Sequence, residues 1–252
     1  MSVTRHRPSH ATVPTSQENA PGYSVDVVKL LARSPLFSCL NEKTLEALGA
    51  DTARRCHRRG EIIQRQGDVP GHLHMVVRGR VKLTLQAESG AELLITILGP
   101  LDTFGEIAAI DGGDVAHTAI AIEPAETIFI RQSAILATFM SNRAFASAFA
   151  QKLTTQLRMG ADLLESSSLY GLDVRMARCL DDLGRRHGRS TENGIEVKLP
   201  LTQSELAAML GATRVRVNLL LGQYQDEGLI RLDRGSFTLL APEEVRRRAR
   251  RQ

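Results

Sequence analysis

No stretch of this 252-residue chain approaches 18 consecutive apolar residues, so no segment has the length a bilayer-spanning helix needs. Cysteine is scarce: Cys39, Cys56 and Cys179 stand far apart, with no Cys-x-x-Cys pair. That spacing excludes a disulfide scaffold, an iron-sulfur cluster or a thiolate zinc site and fits a reducing, cytoplasmic setting. His-Glu-x-x-His, a Walker loop and a nucleophile elbow are also missing, and with them the usual metal, phosphoryl-transfer and acyl-transfer centres. Asp111 and Asp114 share a glycine-bearing turn and read as solvated loop acids. No metal site and no catalytic residue is expected, and the chain does not read as an enzyme. Residues 1–22 contain Arg5, Arg7, Pro8, Pro14 and Pro21 without the apolar centre of a signal peptide, which predicts a disordered N-terminal tail.

What is present is a 42% hydrophobic content, enough for two ordinary domains, and a mildly basic balance of +4. Residues 171–252 hold 15 Lys or Arg against 11 Asp or Glu, while residues 1–170 are balanced at 17 against 17. The whole excess therefore sits where a phosphate backbone would attract it. A solvated arginine tail around Arg247 is the plainer alternative.

Residues 24–32 and 41–50 read as two short helices around Pro35-Leu36-Phe37, the second capped by Asn41. Between Arg58 and Ile130, short β-branched runs alternate with Gly60, Gly67, Gly79, Gly90, Gly105, Gly112 and Pro124. Turn signals at that density predict a small antiparallel jelly-roll barrel. From Asn142 the period becomes helical. Phe145, Phe149, Leu153, Leu157 and Leu164 form one apolar stripe on a helix through about Tyr170, a length and seam that invite a partner helix. Packing on its own domain is the alternative. The expected organisation is 23–141, an effector-type domain; 142–170, a dimerisation helix; and 171–252, a C-terminal domain.

Leu201–Ile230 is the most informative stretch. Thr202 and Glu205 form a capping box, Leu206, Ala207 and Leu210 point inward, and Gly211 permits a tight corner. A second helix from about Thr213 places Val217, Leu220 and Leu221 on the core side and leaves Arg214, Arg216 and Asn218 outward, where a recognition helix meets bases and phosphates. Thr202, Gln203 and Ser204 begin a helix able to offer donors to phosphate. Residues 228–232 and 236–240 alternate around Asp233-Arg234-Gly235, a hairpin in the position of a wing. The fold class is thus α+β: an N-terminal antiparallel β jelly-roll barrel with short flanking helices, a long dimerisation helix, and a C-terminal winged helix-turn-helix.

Over residues 25–245 the chain resembles the CRP/FNR family of bacterial transcription regulators. The resemblance lies in Leu36-Phe37 with Leu45, Arg59-Gly60-Glu61, Gln66-Gly67-Asp68, Val77-Arg78-Gly79-Arg80-Val81-Lys82, Phe104-Gly105-Glu106-Ile107, and the helix-turn-helix. It implies a cyclic-nucleotide-binding-like domain, a homodimer, and double-stranded promoter DNA as target, with RNA polymerase a further partner of an activator. In members that bind cyclic AMP, a Gly-Glu pair begins the phosphate-binding segment, the glutamate accepts the ribose hydroxyl, and an arginine about ten residues later takes the cyclic phosphate. The corresponding pocket positions here are Gly105, Glu106, Ile107, Ala108, Ala116, His117 and Thr118. Alanine at 116 lacks the forked charge that arginine gives to phosphate, which argues against the usual cyclic AMP mode. The effector stays open: a cyclic nucleotide, another small molecule, or none. The clustered N-terminal cysteines of the family's iron-sulfur members are missing, and His72 and His74 do not make a haem site.

The reading helix departs too. Where many members have Arg-Glu-x-x-x-Arg, this chain has Arg214, Val215 and Leu219, which predicts an unusual DNA target, with Val215 a candidate for a thymine methyl contact. The competing reading is a nucleotide-sensing module that acts through protein contacts. Target genes, and activation against repression, are not written in these residues.

Overall fold

The structure, a computed structural model, describes residues 27–69, 71–88, 90–233 and 235–250; the tail expected at 1–22 lies outside the described residues. Helices α1 (Val27–Arg33) and α2 (Glu42–Ala50) come first, α2 with its Thr44 N–H donating to the Asn41 side chain at 2.9 Å. Strands β1 (Thr52–His57), β2 (Ile62–Gln64), β3 (His72–Arg78), β4 (Val81–Gln86), β5 (Glu92–Leu98) and β6 (Thr103–Phe104) follow, then the short α3 (Glu106–Asp111), β7 (Thr118–Ala121) and β8 (Ala125–Arg131). Helix α4 (Gln132–Ser141) leads into α5 (Arg143–Leu169), capped by the Asn142 side chain, which accepts from the Phe145 N–H at 3.0 Å. The C-terminal part is α6 (Leu172–His187), β9 (Gly188–Thr191), β10 (Gly194–Val197), α7 (Gln203–Leu210), α8 (Arg214–Asp226), β11 (Ile230–Asp233), β12 (Ser236–Leu239) and α9 (Pro242–Ala249).

The expected closed barrel is corrected. Strands β1 to β8 form two separate antiparallel sheets, ordered β1-β8-β3-β6 and β2-β7-β4-β5, and among the described residues no ladder joins one to the other. Closure needs strands long enough to stagger right round the axis. Here β6 has two residues and β2 three with a register shift, too short to pair on both sides. The α+β class, the helix-turn-helix and the long helix stand.

Alternation along the strands sorts the core into layers. On β3, Leu73, Met75 and Val77 face the helical layer, where they meet Leu31, Phe37, Ile135, Phe145 and Phe149. Val76 points the other way, between the sheets, with Val81, Leu83, Leu98, Phe104 and the small Ala119, Ala121 and Ala125. The outer face of the second sheet is not left to solvent: Leu94, Ile97 and Ile122 belong to the same buried cluster as Met176, Leu180, Leu206, Leu210, Val217 and Tyr224. The C-terminal part is thus docked, with α7 against β5, and its own sheet runs β11-β12-β10-β9. Periodicity misses the weakly patterned β1, the exposed β9 and the arginine-rich α9.

Candidate nucleic-acid interface and effector pocket

The helix-turn-helix forms by local rules. The Glu205 N–H donates to Thr202 Oγ1 at 3.1 Å while Glu205 Oε2 accepts the Thr202 N–H at 2.8 Å, closing the capping box. Gly211 ends α7 at φ +54°, a left-handed conformation that glycine adopts without strain. Thr213 caps α8, accepting the Arg216 N–H at 3.4 Å. Leu206, Ala207 and Leu210 of α7 and Val217, Leu221 and Tyr224 of α8 are buried, fixing which side of each helix faces out.

Thr202, Gln203, Ser204, Thr213, Arg214, Val215 and Arg216 are all exposed, and Asn218 is half-buried with an unpaired Oδ1. The first three lie at the start of α7 and the others on the first turns of α8. Neither Arg214 nor Arg216 is engaged with another described side chain, whereas ion pairs hold Arg246, Arg247 and Arg248 of α9. Arg246 pairs with Asp181 and Glu243, Arg247 with Glu244, and Arg248 with Asp173, Glu227 and Glu244. The Arg248 contacts brace α8 from behind. The Tyr224 hydroxyl donates to Asp173 Oδ1 at 2.9 Å, and the Arg248 guanidinium lies 5.2 Å from the Tyr224 ring centre. Of the arginines that the sequence offers as a solvated tail, Arg246 and Arg248 are held against the domain, while Arg247 stays exposed. Strands β11 and β12 form the expected hairpin, with Asp233 paired to Ser236; Arg234 at its tip lies outside the described residues.

Of the candidate pocket residues, Gly105, Glu106, Ile107 and Ala108 open α3, and His117 lies within electrostatic reach of Glu106. Gly105 is held at φ +89° beneath β3, where a Cβ would stand 3.0 Å from the His72 carbonyl oxygen. Glu106 is 2% exposed. Its Oε1 accepts the Thr103 hydroxyl at 2.6 Å and lies 3.6 Å from Lys152 Nζ, and its Oε2 accepts Gln156 Nε2 at 3.0 Å. The carboxylate that would receive a ribose is thus committed to β6 and to α5. Sequence reasoning misses Lys152 and Gln156; their separation of four places them on one face of α5. Ala108 is buried, Ala116 half-buried and Ile107 exposed. His117 is half-buried near Glu106; burial holds its imidazole below the ordinary value, outweighing the pull of that carboxylate. The Thr118 hydroxyl accepts the Gln66 N–H at 3.1 Å, so it too has a structural partner. Among the described residues no cluster of His, Cys, Asp and Glu could hold a metal ion. His74 is stacked on Phe104 at 4.7 Å, and burial, with His72 and His57 nearby, pushes its pKa down to about 3.

The proposed stripe on α5 splits in two. Phe145 and Phe149 are fully buried, with Phe145 stacked on Phe37 at 5.6 Å; both rings are spent on the chain's own core and cannot serve a partner. Leu153 is half-buried, while Leu157 and Leu164 are 75% and 70% exposed. An amphipathic pattern cannot distinguish these, because the stripe continues past the end of the domain that covers its first two turns.

The second sheet and the helix-turn-helix domain are joined by polar contacts. Lys82 Nζ lies 3.1 Å from Glu92 and 3.1 Å from Glu205 of α7, and Arg186 donates to Thr96 Oγ1 at 3.0 Å and to the Ile97 carbonyl at 3.2 Å. Burial works to raise the Glu205 carboxyl, but the Thr202 N–H and Lys82 outweigh it and hold the group below its ordinary value.

Comparison with known proteins matches residues 54–142 to the cyclic nucleotide-binding domain and residues 174–248 to the Crp-like helix-turn-helix domain. A CRP-like cAMP-activated global transcriptional regulator of Mycobacterium tuberculosis is 28% identical over 222 residues, 88% of this chain and 99% of that protein. Among solved structures, a CRP/FNR-family transcriptional regulator from Thermus thermophilus is 25% identical with a TM-score of 0.65, covering 79% of this chain and 99% of that one. The c-di-GMP-responsive global regulator CLP of Xanthomonas campestris, 21% identical, shares the fold with a TM-score of 0.68 over 79% of this chain and 99% of that one.

Proposed function

This chain belongs to the CRP/FNR family of transcription regulators, and from that premise we propose that it works as a cytoplasmic homodimer that binds pseudo-palindromic promoter DNA through α8. Like its relatives, it is a regulator and not an enzyme. The observation that carries the DNA reading is the pair of uncommitted guanidiniums, Arg214 and Arg216, on the open side of a helix braced from behind by Arg248, Tyr224 and Asp173. Rigid backing with free cations in front suits a recognition helix in the major groove. Arg214 is assigned to a base edge and Arg216 to phosphate, with Thr202, Gln203, Ser204, Thr213, Val215 and Asn218 at the same surface.

The dimer seam runs along the later turns of α5. Ala146, Ala150, Leu153, Leu157, Gly160 and Leu164 recur at alternating spacings of four and three, the repeat of a two-helix seam. A Cβ at Gly160 would meet nothing within 4 Å, so the fold itself does not call for glycine in mid-helix. A partner helix approaching closely there would. The working units are then 23–141 for signal input, 142–170 for dimerisation and 171–252 for DNA, with RNA polymerase a further contact.

Cyclic AMP in the usual mode is not the input. Ala116 offers no phosphate ligand, and Glu106 is already held by Thr103, Lys152 and Gln156. That the relatives are described as responding to different nucleotides supports a changeable input site on a shared frame.

Selection from random duplex DNA by the full chain, followed by salt titration, tests the reading. The expected result is a two-fold symmetric site bound with affinity falling steeply with salt; a slope near −0.9 per phosphate contact counts them. Binding without sequence preference, or none, would overturn it.

A further inference from the structure

The outward face of α8 is lined by Val215, Asn218, Leu219, Gly222, Gln223 and Asp226. Val215 and Leu219 are 69% and 67% exposed, two aliphatic side chains standing in water on the most basic part of the chain. No other described residue covers them. At about 100° per residue, Val215, Leu219 and Gly222 fall in one strip along the helix, while Arg214 and Arg216 lie roughly 100° to either side of it. The cations thus flank the apolar strip like rails, one toward each wall of a groove. Exposed Asp226 places a negative charge at the last turn of the helix, beyond Gly222.

Gly222 is a separate observation. A glycine in a helix interior is unfavourable relative to alanine, and a Cβ placed there would meet no atom within 4 Å. The fold has no use for its smallness. A surface that comes close to the helix backbone from outside does.

We propose that the α8 strip reads thymine by its methyl group: Val215 and Leu219 contact C5-methyl groups in the major groove, and Gly222 lets the groove floor approach the helix backbone. The proposal rests on the DNA-binding reading and names the chemistry of that same face. Of the base-edge features in the major groove, the thymine methyl is the one an aliphatic side chain can recognise. Val215 and Leu219 are separated by about 6 Å along the axis, which spans roughly two base pairs, so the two contacts fall on different pairs of one half-site. Specificity then comes from an arginine at one position and from shape and methyl contact at its neighbours, so the half-site is rich in A·T pairs beside a single G·C.

The test uses the full chain and its selected duplex site. Each thymine is replaced in turn by deoxyuridine, which removes the methyl and leaves base pairing intact, and binding is followed by fluorescence anisotropy. At one or two positions per half-site the loss should be about threefold to fivefold, the value of one buried methyl-sized group. Val215→Ala and Leu219→Ala should each abolish the sensitivity at one of these positions. Gly222→Ala should keep or raise Tm and yet weaken specific binding. Equal binding of all deoxyuridine duplexes, with sequence selectivity retained, would overturn the methyl reading and leave the regulator reading standing. Loss of all sequence selectivity would overturn both, and a Gly222→Ala variant that binds like wild type would overturn the close approach.

Discussion

Replacing Glu106 with alanine separates a structural carboxylate from a nucleotide receptor. The change removes the acceptor of the Thr103 hydroxyl at 2.6 Å and of Gln156 Nε2 at 3.0 Å, and strips Lys152 of its partner at 3.6 Å. Hydrogen bonds to a charged group contribute about 1.5–3 kcal/mol each. Two of them at the lower bound give about 3 kcal/mol, and Lys152, which reaches water, adds little. For a chain of this size each kcal/mol moves Tm by roughly 2–4 °C, so Glu106→Ala should melt roughly 6–12 °C below wild type. Glu106→Gln should lose less, because its amide oxygen still accepts from Thr103. Differential scanning calorimetry, with and without cyclic AMP at about 1 mM, reads both halves of the argument. The wild type should show no shift with nucleotide, whereas a ligand at a hundred times its Kd stabilises by about 2.7 kcal/mol. A nucleotide-dependent rise of that size, abolished by Glu106→Ala, would refute the reasoning, as would a Glu106→Ala variant that melts with wild type.

Three further outcomes are expected. Leu157→Lys with Leu164→Lys should yield a folded monomer by light scattering, since two such exposed positions cost each fold within about 0.5 kcal/mol; Phe145→Ala, wholly buried against Phe37, should instead destabilise by about 3–5 kcal/mol. Arg216→Ala should lower the magnitude of the salt slope of DNA binding by about 1, whereas Arg214→Ala should cost roughly 1–3 kcal/mol at one base pair, measured by competition among single-substituted sites. Burial depresses the His74 pKa to about 3 and also lowers His57, His72, His117 and His187. The unfolded chain takes up those protons first, so stability holds above the unfolded value of about 6.5 and falls as pH drops below it, by up to about 1.4 kcal/mol per pH unit for each histidine. Urea midpoints at descending pH check this, and His74→Phe should flatten the slope.

Local signals were legible wherever neighbours in sequence decide the structure. Thr202, Glu205, Gly211 and Thr213 write the corner of the helix-turn-helix through hydrogen bonds no more than a turn long, and their spacing is sufficient to place Arg214 and Arg216 outward. The sequence by itself thus determined the helix-turn-helix and the α+β class. Tertiary structure decided whatever depends on pairing between distant residues. Strand signals at regular intervals cannot say whether the edges meet, and the short β2 and β6 left two sheets rather than a barrel. One apolar stripe on α5 could not reveal that Phe145 and Phe149 are spent inward while Leu157 and Leu164 stay free, because a helix face is apolar toward any neighbour. The commitment of Glu106 to Lys152 and Gln156, and of Lys82 to Glu205, bridges separations of 46, 50 and 123 residues. Periodicity carries no information over such distances; only the packing of α5 and α7 on the sheets brings those charges together.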